Sequence, residues 1–294
     1  MKIALVPNPE KLDAMAAARQ VEGLLRGRAG NAGMEILLQP KHAELAAFGP
    51  ELVVVLGGDG SILSIAQEMV GIQAPVAGIN FGKLGYLAAF SLEQFLEHLE
   101  LILAGNAPMT QRLMLQGEIY PHDAALPGVR GLKDLRAKGP IAKGFALNDV
   151  VINAGDPFRM IELNVQIDEN ETTTFRSDGV ILATASGSTG YNLSAGGPLV
   201  SPDVEAMVLT PICAHSLSFR PVVLACSSAV LICPRRLNAG SKVNFDGQLT
   251  LPLLEDQCLL IRPAPGRLRL VENPTISRWR MLGEKLHWAQ SPKQ

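Results

Sequence analysis

The chain has 294 residues, 47% of them hydrophobic and 18% charged, with a formal net charge of −2. That balance excludes a disordered segment, and the near-neutral charge excludes nucleic-acid binding driven by bulk positive charge. The length allows one large domain or two ordinary ones.

Residues 2–6 read as a strand and 11–26 as a helix, with Leu12, Met15, Ala16 and Leu24 at helical spacing. Strands are expected at 34–38, 52–56 and 75–79, and helices at 62–70 and 92–104. Ser91 and Gln94 are placed as a capping box for the last of these. Alternating strands and helices point to a parallel sheet covered by helices. The unbroken apolar run Leu52-Val53-Val54-Val55-Leu56 fits a strand buried on both faces.

After Gly105 strand-like runs dominate, at 112–120, 144–153, 161–167, 172–175, 179–183, 221–225, 230–233, 242–245 and 258–261. Ile161, Leu163, Val165 and Ile167 alternate with Glu162, Asn164 and Gln166, giving one buried and one wet face. Asp168-Glu169-Asn170 reads as a turn, and residues 121–143, rich in Gly, Pro, Lys and Arg, as a surface insertion. The expected fold is an α/β N-terminal domain with a parallel sheet and a Gly-Gly-Asp-Gly loop, at 1–105, and a mainly antiparallel β domain at 106–271. A tail at 272–294 is expected to return to the first domain.

Cys213, Cys226, Cys233 and Cys258 include no CxxC pair and no zinc-ligand spacing, so reduced, buried thiols are expected. Ile3-Ala4-Leu5-Val6 is cut off by Pro7-Asn8-Pro9, which does not read as an export signal. The longest apolar stretch, 222–233, falls short of the roughly 20 residues a bilayer span needs. A cytoplasmic protein without membrane or nucleic-acid partners is the expectation.

Gly57-Gly58-Asp59-Gly60-Ser61 follows the buried strand directly. Glycines there let backbone N–H groups converge on an anion, and the following helix points its positive end at the same place. A carboxylate is repelled by phosphate, so Asp59 points to a base or a metal partner. Neither the P-loop pattern GxxxxGK[ST] nor the dinucleotide fingerprint GxGxxG is present. A second tract, 184–198, is dense in Gly, Ser and Thr around Tyr191. Such a loop allows close backbone approach, a stacking face and hydroxyl hydrogen bonds. By themselves Asn148-Asp149 and Asp246-Gly247-Gln248 read as turns, and Arg159 and Arg176 as solvated surface residues.

Taken together these blocks resemble the NAD kinase family. The blocks are 57–61, 78–87, Asn148-Asp149, Ser177-Asp178-Gly179, 189–194 with Gly196-Gly197-Pro198, and 215–221. The first is shared with diacylglycerol, sphingosine and 6-phosphofructo-kinases; the Gly190-to-Pro198 tract and the Asn80 block are far more specific. The resemblance implies transfer of the terminal phosphoryl of ATP to the 2′-hydroxyl of the adenosine ribose of NAD, with Mg²⁺ on the phosphates. It makes Asp59 the general base, with Gly57, Gly58, Gly60 and Ser61 as the phosphate-donor loop. Asn148 and Asp149 match the pair that holds NAD. Asp178, Thr189, Gly190, Tyr191, Asn192, Leu193 and Ser194 match the rest of the dinucleotide site. Arg159, Arg176 and Gln248 fall where relatives contact substrate, and Arg176 is connected with preference for NAD over NADH. Ser61 stands where many relatives have Thr, and Asp149 where many have Glu. A homodimer or homotetramer is implied by resemblance only. The alternatives are a lipid or sugar kinase with the same first block, a non-catalytic NAD(P) sensor, and a hydride-transferring dehydrogenase, which the missing fingerprint disfavours.

Overall fold

A computed structural model describes residues 1–29, 33–82, 85–121, 139–168, 170–277, 281, 283 and 286. Residues 122–138 of the expected insertion, Lys83 and Leu84 of the 78–87 block, Glu169 of the expected turn, and most of the 272–294 tail lie outside the described residues. The chain divides into two compact units, Met1–Gln111 with Leu268–Gln294, and Arg112–Arg267.

The elements run β1 (Lys2–Pro7), α1 (Leu12–Ala29), β2 (Glu35–Leu38), α2 (His42–Phe48), β3 (Leu52–Gly57), α3 (Asp59–Met69), β4 (Val76–Asn80), α4 (Leu92–Glu97), α5 (Leu99–Leu103) and β5 (Met109–Arg112). There follow β6 (Leu115–Pro121), β7 (Ala142–Ala146), β8 (Asp149–Asn153), β9 (Ile161–Ile167), β10 (Thr173–Ser177) and β11 (Gly179–Thr184). A 3₁₀ turn, Gly187–Thr189, and α6 (Tyr191–Ser194) precede β12 (Ala206–Ile212) and β13 (Val222–Ala225). The last strands are β14 (Val230–Arg236), β15 (Lys242–Phe245), β16 (Leu249–Pro252), β17 (Gln257–Pro263) and β18 (Leu268–Val271).

In the first unit the strand order is β2-β1-β3-β4-β18-β5. The pairs β1–β2, β1–β3, β3–β4 and β4–β18 are parallel. From β1 the chain steps to β2 on one side, then returns to β3 on the other. The order therefore reverses between β1 and β3, the position where open α/β sheets form a crevice at the carboxyl ends of their strands. Every residue of β3 is buried, as the apolar run predicts.

Two expectations fail in detail here. The inward stripe of α1 is Ala14, Ala17, Ala18, Val21 and Leu25, while Leu12 is 96% exposed and Leu24 points outward. Three alanines with Val21 and Leu25 face the core, so position around the helix, not side-chain size, decides which residues are buried. The helix expected at 92–104 is two, α4 and α5, broken at His98; its Ser91–Gln94 capping box is present, with the Gln94 N–H donating to Ser91 Oγ at 3.2 Å.

The second unit has two six-stranded sheets, β10-β9-β14-β17-β6-β7 and β13-β12-β11-β8-β15-β16. The strand pairs in both are antiparallel. Their inner faces share one core, with Ile161, Leu163, Val165, Ile232 and Leu259 from the first sheet and Val150, Ile152, Val180, Leu182 and Val243 from the second. Cys233 and Cys258, on the paired strands β14 and β17, form a disulfide. This corrects the expectation of reduced thiols; the two cysteines are 25 residues apart, and only the sheet brings them side by side. Cys213 is free and exposed, and Cys226 is free and half-buried. Among the described residues no helix is long and apolar enough to cross a membrane.

The strand expected at 144–153 is divided. β7 belongs to the first sheet and β8 to the second, and the chain turns the corner at Leu147-Asn148. Phe245, fully buried, fills the space beside that corner. Its ring lies over Gly117 of β6 and Gly144 of β7, where an added Cβ would come within 2.6 and 2.9 Å. Phe245→Ala is expected to lower unfolding stability by about 3–5 kcal/mol, read by urea denaturation; a loss under about 1 kcal/mol would mean that the ring does not support the corner.

Candidate active site

In the first unit β3 ends at Gly57, and α3 begins at Asp59, with Gly58 as N-cap at φ 136°. The expected loop is thus a strand end, one glycine and a helix start. That φ lies where L side chains are strained, so position 58 demands glycine. Gly60 is exposed and Ser61 buried, with the Asn8 Nδ2 donating to Ser61 Oγ at 2.9 Å. The first turn of a helix carries N–H groups without intrahelical acceptors, which is what an anion needs.

Asp59 does not simply face outward. Its Oδ2 accepts the Tyr86 N–H at 2.8 Å, and its Oδ1 accepts those of Leu87 at 3.0 Å and Ala88 at 2.9 Å. The carboxylate therefore fixes the turn that follows β4. Gly85 explains itself here: a Cβ on it would sit 1.7 Å from Asp59 Oδ1. Burial, and then the Asp59 charge, push the Tyr86 phenol above its ordinary pKa.

In the second unit a cavity of about 420 Å³ opens on the outer face of the β8–β15 region. Strand alternation builds it. Asp149, Val151 and Asn153 of β8 line the cavity, while Val150 and Ile152 between them enter the core. Asn244 and Asp246 do the same around Phe245, and Asn148 and Tyr191 complete the wall. The cavity brings Tyr191 beside Asn148 and Asp149, from which it is distant in sequence.

Asp246 is the residue that sequence reading missed. It sits at φ 52°, with Gly247 at φ 66°, in the tight β15–β16 turn, where Gln248 N–H donates to the Phe245 carbonyl at 2.8 Å. Its Oδ2 accepts the Leu147 N–H at 2.6 Å, and its Oδ1 those of Asn148 at 2.8 Å and Asp149 at 3.0 Å. The only sequence signal was an Asp-Gly hairpin turn, and such turns are common at the surface.

Other expected site residues fall elsewhere. Asn192 is fully buried, its Nδ2 donating to the Ser188 and Pro198 carbonyls and its Oδ1 accepting from Thr210 Oγ1 at 2.6 Å. It ties together the loop that presents Tyr191. Thr189 Oγ1 donates to the Ser186 carbonyl at 3.2 Å, Leu193 is half-buried, and Gly190 and Ser194 are exposed. Asp178 is half-buried between β10 and β11; Arg159 and Gln248 are exposed. Arg176 lies on the edge strand β10, its Nε donating to Glu162 Oε2 at 2.7 Å on the neighbouring β9. None of these lines the cavity.

Burial first, and then the Asp246 charge, push the Asp149 carboxyl up to about 7. Burial raises Asp246 to about 6, although its three backbone N–H donors pull the other way. Both folded-state values lie above the ordinary 3.8. The folded protein therefore binds more protons than the unfolded chain between about pH 4 and 7, and the stability linked to this pair falls as pH rises through that window. Asp149→Asn is expected to raise the melting temperature relative to wild type at pH 8, with the gain shrinking toward pH 5. An equal shift at both pH values would show that Asp149 does not titrate there.

The ATP-NAD kinase N-terminal domain matches residues 38–107, and the ATP-NAD kinase C-terminal domain matches residues 147–273. The NAD kinase of Syntrophotalea carbinolica is 35% identical over 290 residues, covering 95% of each chain. That of Aromatoleum aromaticum is 37% identical over 271 residues, covering 92% of this chain and 84% of its own. Yeast NADH kinase complexed with NADH has a TM-score of 0.82 at 23% identity, covering all of this chain and 89% of its own, a likeness of fold. An NAD kinase from Archaeoglobus fulgidus in complex with ATP has a TM-score of 0.70 at 26% identity, covering 98% of this chain and 99% of its own. With both domains matched in order and relatives aligned over nearly its whole length, the chain belongs to the NAD kinase family.

Proposed function

We propose that this NAD kinase moves the terminal phosphoryl of ATP onto the 2′-hydroxyl of the adenosine ribose of NAD, with Asp59 accepting the hydroxyl proton. The observation that supports the role of Asp59 is its placement. It opens helix α3 at the carboxyl end of a buried strand, and three backbone N–H groups hold its carboxylate in one orientation. Phosphoryl transfer needs alignment and charge neutralisation more than covalent help, so a fixed base beside a turn of N–H groups suits it. Gly57, Gly58, Gly60 and Ser61 form the donor turn in this reading.

NAD is held on the second unit, by Asn148 and Asp149 through hydrogen bonds and by the face of Tyr191 through stacking. Asp178, Thr189 to Ser194, Arg159, Arg176 and Gln248 supply the outer contacts, on the family resemblance alone. Mg²⁺ would be carried by the nucleotide. Among the described residues no group of three or more His, Cys, Asp or Glu could hold it. The donor's phosphate oxygens would hold it, and there it would offset their charge and their repulsion with Asp59. A cytoplasmic setting and a homodimer or homotetramer belong to the same reading and rest on the family.

Asp59→Asn is expected to cut kcat about 10²–10⁴-fold and to leave the KM for NAD nearly unchanged, in a coupled assay for NADP formed from NAD and ATP. A wild-type kcat would remove the base role. Tyr191→Ala is expected to raise the KM for NAD chiefly; a loss confined to the KM for ATP would contradict the placement of the dinucleotide.

A further inference from the structure

Lys11 stands in the turn between β1 and α1, half-buried. Its Nζ donates to the carbonyl of Gly57, the last residue of β3. Strands β1 and β3 are paired neighbours, with Pro7 opposite Leu56. The strand order of the sheet reverses between them, so the Lys11 ammonium lies at the position where such sheets collect ligands.

We propose that Lys11 is a phosphate-binding residue for the nucleotide donor, reaching the Gly57-Gly58-Asp59-Gly60 turn from the neighbouring strand end. The proposal rests on the donor-turn reading above and adds a charge to it.

The turn that carries Lys11 is pinned to the donor turn on both sides. Asn8 N–H donates to the Leu56 carbonyl at 2.7 Å, and Asn8 Nδ2 donates to Ser61 Oγ at 2.9 Å. Asn8 Oδ1 accepts the Glu10 N–H at 2.9 Å, and Lys11 N–H donates to the Asn8 carbonyl at 3.2 Å. The lysine is thus placed by hydrogen bonds before any ligand arrives, which lowers the entropy cost of using it.

Among the described residues no carboxylate lies within ion-pair distance of Lys11 Nζ; its hydrogen-bond partner is a neutral carbonyl. An ammonium has three donors and no acceptor, so the carbonyl leaves capacity for an anion. Space is present on the same side. A Cβ at Gly58 would lie 3.5 Å from Lys11 Nζ and 3.3 Å from Asn80 Oδ1, and glycine leaves that volume empty. Backbone N–H groups and an ammonium around a glycine turn are the elements that a P-loop combines in one motif. Here the P-loop pattern is missing from the sequence, and the lysine comes from a different strand end.

A purely structural lysine, holding the Gly57 carbonyl and nothing more, makes different predictions. Lys11→Met and Lys11→Arg are to be compared with wild type by calorimetric titration with ATP and with adenosine. Lys11→Met is expected to weaken ATP about tenfold or more, with adenosine unchanged, and Lys11→Arg to recover most of the loss. In turnover, Lys11→Met raises the KM for ATP and spares the KM for NAD. Wild-type ATP affinity in Lys11→Met, or equal losses for ATP and adenosine, would overturn the proposal. Hydrogen exchange separates its failure from that of the donor-turn reading. If ATP does not protect the 57–61 amides of the wild-type protein, the donor-turn reading fails and takes the lysine with it. If those amides are protected and Lys11→Met binds ATP normally, the lysine alone is wrong.

Discussion

Among the described residues a carboxylate accepting three successive backbone N–H groups occurs once in each unit, and each candidate site depends on one. Asp59 grips Tyr86, Leu87 and Ala88, and Asp246 grips Leu147, Asn148 and Asp149. In both places the chain leaves a strand ladder and its N–H groups lose their regular acceptors. A buried donor left without a partner costs about 1–3 kcal/mol. A carboxylate offers two oxygens and about four acceptor positions, so one side chain answers three such groups. The price is a charge taken out of water, and the unit-two turn shows it: Asp246 is 9% exposed, and its carboxyl is raised despite its three donors.

That arrangement also explains why position 149 is unfavourable for stability and suited to a site. Asp246 must sit beside the corner in order to hold it, and Asp149 is part of the corner. Two buried carboxyls thereby share one cavity wall. A chain selected for stability alone would carry an amide at one of them. Local rules broken at one point, with all neighbours consistent, mark functional positions in otherwise well-specified folds.

Sequence patterns showed those parts of the fold in which one residue's environment is set by its near neighbours. Strands 161–167 and 242–245 carry a clean in-out alternation, and both were found with their observed limits. The buried run of β3 and the capping box at Ser91 are likewise local. What escaped was decided at a distance. The apolar character of residues 144–153 does not change at Leu147, because strands of either sheet bury it; the break appears only when Asp246, 97 to 99 residues away, takes the N–H groups. β12 carries Pro211 and reads poorly as a strand, yet pairs with β11 along its length. α2 is seven residues with three alanines and little periodicity. For the site, the residue types in the 184–198 tract were informative and their directions were not. Tyr191 faces the cavity, while its neighbour Asn192 turns inward to hold the loop.

The two candidate sites differ in the chemistry they can receive. The strand ends of β1 and β3 offer helix-start N–H groups, a half-buried ammonium and open backbone at glycine, all favourable to a polyanion. The cavity of the second unit offers two carboxyls and three asparagines around one aromatic face. A phosphate placed against Asp149 and Asp246 would meet repulsion whenever either is ionised; burial raises both carboxyls, and the Asp246 charge raises Asp149 further. Sugar hydroxyls and amides have the opposite preference: they donate to a carboxylate and accept from a protonated one. On the proposed function, a dinucleotide turns its pyrophosphate away from these carboxyls and its ribose hydroxyls toward them. In the same reading a triphosphate suits the strand ends of β1 and β3. On the proposed function, the division of acceptor and donor between the two units follows from which side chains each fold buries without a countercharge.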